Sequence, residues 1–282
     1  MTYKQLLKSV KSQLDTAGIY PAAGQLLLLE YCRRQAIDLY AEYNRSVPVT
    51  LQEDFLEGVQ RLTAHEPLAY IIGTAPFYGY DFRVDPRVFI PRPETEELVE
   101  RILDILDSGY FSADKEIKGL DIGTGSGAVA ITLALEIPQV IMTACDISTA
   151  ALTVATENAE VLGAKIDFVA CDLFAGLAGR RYDFIVSNPP YIKDQELLEA
   201  EVKDHEPGIA LFGGEKGQDF YRRILSQAAT YLNPHNFLAF EIGYDQANDL
   251  KTLAAEFFPQ AEVAVEQDIN GKDRMLFIYN QK

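Results

Sequence analysis

Apolar positions along this chain keep two rhythms, and the change falls near residue 75. Before it the spacing is helical. Leu6, Leu7, Val10 and Leu14 share one face. Pro21 suits the first position of a second helix, where its missing N–H is not needed, and the apolar face is expected to run through Leu26, Leu29, Cys32, Ala36 and Tyr40. Thr50 and Glu53 stand at capping-box spacing, and Leu51, Phe55, Val59 and Leu62 follow at helical intervals. Together these segments predict a small helical domain over residues 1–75. Its pattern suits a stability module and a substrate-recognition unit equally.

Residues 76–90 are rich in aromatic and β-branched side chains broken by Gly79 and Pro86, which predicts a hairpin or extended linker. Pro91-Arg92-Pro93-Glu94-Thr95-Glu96-Glu97 then opens a helix with acids in its first turn, where the helix dipole favours them, and Leu98, Val99, Ile102 and Leu106 give it a buried face. From about residue 117 the period shortens. Strands are expected at 117–122, 140–146, 166–171, 182–187, 237–242, 261–267 and 274–279, with helices between the first several. Such alternation implies a parallel sheet with right-handed crossovers. The last two strands are instead joined through Asp268-Ile269-Asn270-Gly271-Lys272-Asp273, and Asn-Gly is a strong hairpin signal. An α/β, mostly parallel, Rossmann-like sheet closed by an antiparallel hairpin is the arrangement expected of class I methyltransferases, here over residues 91–282.

Composition narrows the partners. A net charge of −17 over 282 residues lacks the basic track that phosphate neutralisation needs, so stable nucleic-acid binding is not expected and a basic protein partner fits better. Cys32, Cys145 and Cys171 form no C-x-x-C pair, and His65, His205 and His235 form no ligand-spaced cluster, so neither a disulfide framework nor a metal site is expected. With no apolar signal core and no stretch long enough to span a bilayer, a cytoplasmic protein is expected. Nothing suggests an obligate dimer, so a monomer is expected.

Two loops carry the candidate chemistry. Asp121-Ile122-Gly123-Thr124-Gly125-Ser126-Gly127 lies between the first long strand and its helix, where glycines let a ligand approach backbone N–H groups. A strand-to-helix turn without a ligand would use the same glycines, so the meaning of this loop depends on the later strand ends. Asp146 ends the second of these strands, 23 residues after Gly123, where an acid can accept from ribose hydroxyls. Asp172 and Leu173 follow the third, placed to meet the amino group and the face of an adenine, although Leu173 also suits ordinary core.

The second loop is Ser187-Asn188-Pro189-Pro190-Tyr191, after the apolar run 182–186. Two prolines cannot continue a strand ladder, so the chain must turn at the carboxyl end of the sheet, where open α/β sheets bind ligands. The Asn188 side-chain oxygen and the Pro189 carbonyl can each accept one N–H of a planar –NH2 group, Pro190 adds no competing donor, and Tyr191 can cover the plane. An exocyclic amine on DNA or RNA fits the same pair of acceptors and leaves a second reading open.

The combination resembles the peptide chain release factor N5-glutamine methyltransferases, the PrmC/HemK family. The likeness runs through Phe89 to Glu96, Asp121 to Gly127, Asn188 to Tyr191, Glu206-Pro207, Ala210 to Gly214, Glu241-Ile242-Gly243 and Gly271 to Arg274. It implies S-adenosylmethionine as methyl donor and, as acceptor, the glutamine of the Gly-Gly-Gln loop of release factors. A glutamine on a ribosomal protein is a close variant. Carried over by motif, Gly123 to Gly127, Asp146, Leu173 and Asn188 touch the cofactor, and Asn188, Pro189, Pro190 and Tyr191 hold the glutamine. Leu173 stands where some relatives carry a larger aromatic, and Glu215-Lys216-Gly217-Gln218 departs from the family's Asp-Gly-Leu run. Arg92, Glu94 and Glu96 are expected to start the helix and anchor a loop. The acids Asp194, Glu196, Glu199, Glu201, Asp204 and Glu206 are expected either as a solvated helix face or as a dock for a basic release factor.

Overall fold

The structure is a computed structural model that describes residues 1–112, 114–196 and 200–280. It divides into two compact units, residues 1–74 with 198–205, and residues 75–197 with 206–282.

The first unit is helical. It contains α1 (Tyr3–Thr16), α2 (Pro21–Arg34), α3 (Val49–Thr63) and the short α4 (Leu68–Ile72). Leu6, Val10 and Leu14 of α1 are buried as their spacing predicts. Two expectations fail here. α2 ends at Arg34 and buries Gly24, Leu27, Leu28 and Cys32, whereas Leu26 and Tyr40 are exposed. Four consecutive leucines fit more than one helical phase, and the choice is made by glycines that a hydrophobic pattern scores as neutral. A Cβ at Gly24 would come within 2.8 Å of a Leu14 methyl, and one at Gly58 within 2.7 Å of a Leu27 methyl. The helices therefore pack where side chains are absent. The second failure is the capping box. α3 starts at Val49 with Pro48 as its uncapped first flank, and the Gln52 N–H donates to the Pro48 carbonyl at 3.0 Å. Thr50 thus lies inside the first turn, because pairing of Thr2 with Ser46 and of the Val47 N–H with the Met1 carbonyl fixes the entry of the chain.

The second unit opens with the hairpin of β1 (Thr74–Phe77) and β2 (Tyr80–Arg83), followed by α5 (Pro93–Asp107). Then come β3 (Ile117–Ile122), α6 (Ala128–Glu136), β4 (Val140–Asp146), α7 (Thr149–Leu162), β5 (Ile166–Ala170) and β6 (Tyr182–Ser187). α8 (Ala200–His205) belongs to the first unit. The chain ends with α9 (Asp219–Ala228), β7 (Leu232–Glu241), α10 (Ala247–Phe257), β8 (Glu262–Gln267) and β9 (Asp273–Asn280). Among the described residues the strands form a seven-stranded sheet in the order β5-β4-β3-β6-β7-β9-β8, parallel except for β9.

Burial explains the unbroken apolar runs. Every position of β6 is buried. Phe184 and Val186 face one layer, with Leu98, Ile102 and Ile131, and Ile185 faces the other, with Tyr221, Ile224 and Leu250. A strand covered on both faces loses the alternation of a half-exposed one. β7 starts earlier than its apolar run because a register irregularity across Asn233–Asn236 admits Pro234. β9 inserts between β7 and β8, and Gly271 turns the connecting loop at φ 74°. The chain leaves β3 toward β4 on one side and returns to β6 on the other. A crevice must open at the carboxyl ends of these strands.

Candidate active site

A cavity of about 240 Å³ occupies that crevice. Its walls include Gly123, Thr124, Gly125, Ser126, Asp146, Asp172, Leu173, Asn188, Pro189, Pro190 and Tyr191, which the chain delivers from the ends of four different strands. Gly127 does not line it. That residue is the N-cap of α6 at φ 84°, packed under Ile131 and Ala155. Gly125 also has a left-handed φ, 55°, and a Cβ there would meet nothing within 4 Å.

The glycine loop is held by carboxylates. Asp146 accepts from the Gly125 N–H and the Ser148 N–H, each at 2.9 Å, so the acid at the end of β4 braces the loop as well as the start of α7. Ser148 caps α7 by accepting from the Ala151 N–H at 3.1 Å. The buried Thr124 hydroxyl donates to Asp121 at 2.6 Å. Burial, opposed by that bond and reinforced by the nearby Asp146, pushes the Asp121 carboxyl up to about 7. Burial also raises Asp146. The Ser126 carbonyl accepts from Asn158, 2.9 Å away. Leu173 is buried at φ 53°, a left-handed conformation, and its carbonyl takes the thiols of Cys145 and Cys171 at 3.3 and 3.2 Å. The exposed Asp172 accepts from Arg223 at 2.6 Å.

At the opposite wall β6 ends at Ser187, whose hydroxyl donates to the Ile122 carbonyl at 2.7 Å and ties the turn to β3. The Asn188 side-chain nitrogen donates to Thr95 Oγ1 at 3.1 Å. Thr95 Oγ1 in turn donates to Glu241 Oε2 at 2.6 Å, and the Tyr191 hydroxyl donates to Glu241 Oε1 at 3.2 Å. Among the described residues, nothing donates to Asn188 Oδ1 or to the Pro189 carbonyl. Burial raises the Glu241 carboxyl, against the donation from Thr95, and burial with the adjoining Glu241 raises the Tyr191 phenol. The segment 211–217 clamps the turn from outside. Gly213 N–H donates to the Ile192 carbonyl at 2.9 Å, and Gln246 Nε2 to the Tyr191 carbonyl at 3.1 Å.

Arg92 pairs with Glu206, whose other oxygen accepts from the Ile90 N–H at 3.3 Å, and the guanidinium lies 4.7 Å from the centre of the Phe89 ring. Glu206 is therefore a buried anchor, and its expected place among solvated or docking acids is corrected. A charge that deep needs a partner, and only the fold brings Arg92 to it. Glu94 and Glu96 lie in the first turn of α5. Asp194, Glu196 and Asp204 are exposed, whereas Glu199 and the side chain of Glu201 lie outside the described residues.

Comparison with known proteins bears on the family and the fold. Residues 104–204 match the methyltransferase small domain and residues 5–73 the PrmC N-terminal domain. The chain is 39% identical over 281 residues to a release factor glutamine methyltransferase of Bacillus anthracis, covering 98% of this chain and 99% of that one. It is 41% identical over 279 residues to the Bacillus subtilis (strain 168) protein of the same name, covering 98% and 96%. The chain belongs to the release factor glutamine methyltransferase family. A methyltransferase from Pyrococcus furiosus, with 18% identity and a TM-score of 0.53 over 79% of this chain and 98% of its own, shares the class I methyltransferase fold.

The cavity of this family member suits an adenosyl ligand that carries positive charge. Apolar Ile147 and Leu173 line the cavity together with the acidic side chains of Asp121 and Asp146, and a carboxylate at the Asp146 position can accept from a hydroxyl. Two site residues lie in runs that carry the family likeness but receive no role from the sequence: Thr95, inside a motif whose charged members draw attention first, and Glu241, at the end of an apolar strand. A glutamate closing a buried strand is itself a signal, because a buried carboxylate requires donors.

Proposed function

We propose that this chain transfers the methyl group of S-adenosylmethionine to the side-chain amide nitrogen of the glutamine in the Gly-Gly-Gln loop of peptide chain release factors. The observation that carries this reading is the pair of unengaged acceptors, Asn188 Oδ1 and the Pro189 carbonyl, at the wall of the cavity that also holds the glycine loop. A planar –NH2 group needs two such acceptors. S-adenosylmethionine supplies a methyl group activated by a sulfonium. Gly123, Thr124, Gly125, Ser126, Asp146, Asp172, Leu173 and Asn188 hold it, with Gly127 setting the loop's exit into α6.

An amide nitrogen is a weak nucleophile, because its lone pair is delocalised. The task of the chain is therefore alignment and stabilisation of the positive charge that grows on nitrogen. Alignment contributes up to ~7–11 kcal/mol, and each neutral hydrogen bond only ~0.5–1.5 kcal/mol net. Positioning dominates. Asn188, Pro189 and Tyr191 form the catalytic group, and Pro190 completes the glutamine site by offering no donor. No general base is required, since the amide proton becomes acidic once the nitrogen is methylated and passes to water. Residues 91–282 are the methyltransferase domain, 1–75 a helical domain and 76–90 the hairpin linker. The protein acts in the cytoplasm as a monomer and without stable nucleic-acid binding, the last supported by the charge of −17.

One experiment tests this. Methyl-labelled S-adenosylmethionine is offered in parallel with release factor, ribosomal proteins, DNA and RNA. Label on the release factor that disappears when its loop glutamine is replaced is the expected result. Label on nucleic acid alone would overturn it, and label on ribosomal protein alone would move the substrate.

A further inference from the structure

Within that reading, on which this inference rests, we infer that Thr95 and Glu241 set the selectivity for a carboxamide over a carboxylate, by fixing which end of the Asn188 side chain faces the substrate. The argument follows protons. Both Glu241 oxygens take hydroxyl donors, Thr95 at 2.6 Å and Tyr191 at 3.2 Å, and Arg274 also favours the charged form, so against its burial the carboxylate is held as an acceptor and the single hydroxyl proton of Thr95 is committed to it. Thr95 Oγ1 can then meet Asn188 only as an acceptor, so the group 3.1 Å away must be the Asn188 nitrogen. Turning that amide over would set two acceptors against each other inside a buried site. Asn188 Oδ1 is thereby locked outward as an acceptor. It welcomes the –NH2 of glutamine and repels the oxygen of glutamate.

Glu241 is held in this acceptor role from its other side. Its second oxygen takes the Tyr191 hydroxyl at 3.2 Å, and Tyr221 donates to its backbone carbonyl at 2.7 Å. One carboxylate thus orients both the amide acceptor and the aromatic cover. Thr95 and Glu241 touch no reacting atom. They are positioning residues, and their effect is read as specificity.

The test compares binding of two release factors, one with the loop glutamine and one with glutamate in its place, to full-length protein, alongside methyl transfer to the first. Thr95→Val removes the hydroxyl and nearly preserves volume, which frees the Asn188 amide to turn. The preference for glutamine over glutamate should fall at least fivefold, while Thr95→Ser, which keeps the hydroxyl, should restore the wild-type ratio. If Thr95→Val melts early, Thr95→Ala, smaller and well suited to a first helical turn, carries the same expectation. Equal weakening for both release factors, or an unmoved ratio in the valine or alanine variant, overturns the inference. If wild-type protein leaves the glutamine release factor unlabelled, the functional reading falls and takes this inference with it. A labelled release factor with an unmoved ratio removes this inference alone.

Discussion

At Asn188 one N–H of the side-chain amide donates to Thr95, and among the described residues nothing donates to the oxygen, which faces a ligand as an acceptor. Asn188→Ala removes that acceptor without disturbing the buried pair of Thr95 and Glu241. Turnover should fall on the order of 100-fold, the scale seen when a preorganised polar group facing developing charge is deleted. The melting temperature should stay within a few degrees, because the side chain is only half-buried. Normal turnover in labelled-methyl assays would remove Asn188 from the reaction. Asp121 makes a different prediction. Its carboxyl lies near 7 in the folded chain against an ordinary 3.8, so between those values the folded state binds more protons than the unfolded. Stability contributed by this group is then present at low pH and declines as pH rises through that window. Asp121→Asn abolishes the titration. Between about pH 5 and pH 7.5 the variant should gain roughly 2–3 kcal/mol relative to wild type in urea denaturation, following ~1.4 kcal/mol per pKa unit. A constant difference across that range would contradict the assignment.

Among elements, the Asn-Pro-Pro-Tyr turn keeps its shape because segment 211–217 presses on it. A Cβ at Gly213 would overlap the Pro190 carbonyl oxygen, which is backbone and cannot swing aside. Gly213→Ala should therefore displace the turn, lower methyl transfer about tenfold and destabilise by ~1–3 kcal/mol, as overpacking does. At Gly208 an added Cβ meets nothing within 4 Å, so Gly208→Ala should leave stability within ~0.5 kcal/mol. Turnover and thermal melting of the two variants decide the point. The same scale shows what the sequence makes legible. Strands such as 182–187 and the glycine loop can be read because their signals are local: an unbroken apolar run, a fixed glycine spacing, a pair of prolines. The pairing of Thr95 with Glu241 spans 146 positions and that of Arg92 with Glu206 spans 114, so no local period announces either. The phase of α2 is hidden for a related reason. Its contact points are Gly24, and Gly58 of α3, and a hydrophobic rhythm counts side chains where this packing depends on their absence.

For the whole molecule the governing quantity is a net charge of −17. A field of that sign does not specify the fold, but it sets how fast a partner arrives and which partners are turned away. It repels phosphate backbones and attracts a basic protein surface, over a range that salt shortens to about 8–10 Å. Association with release factor should therefore slow as ionic strength rises, with the dissociation rate nearly constant, since steering acts on encounter rather than on the docked contacts. Exposed acids should carry this effect, and Asp194, Glu196 and Asp204 qualify. Glu206 does not, because its carboxylate is buried against Arg92 and reversing it would unfold a local anchor. Reversing the three exposed acids to lysine should slow association several-fold at low salt and leave it near wild type in about 0.5 M salt, where screening confines the field to ~4 Å or less. Stopped-flow measurement at both salt concentrations checks this. Equal on-rates at low salt would exclude these acids from steering the release factor, and a slowing that persists at high salt would mean that they make direct contact with it.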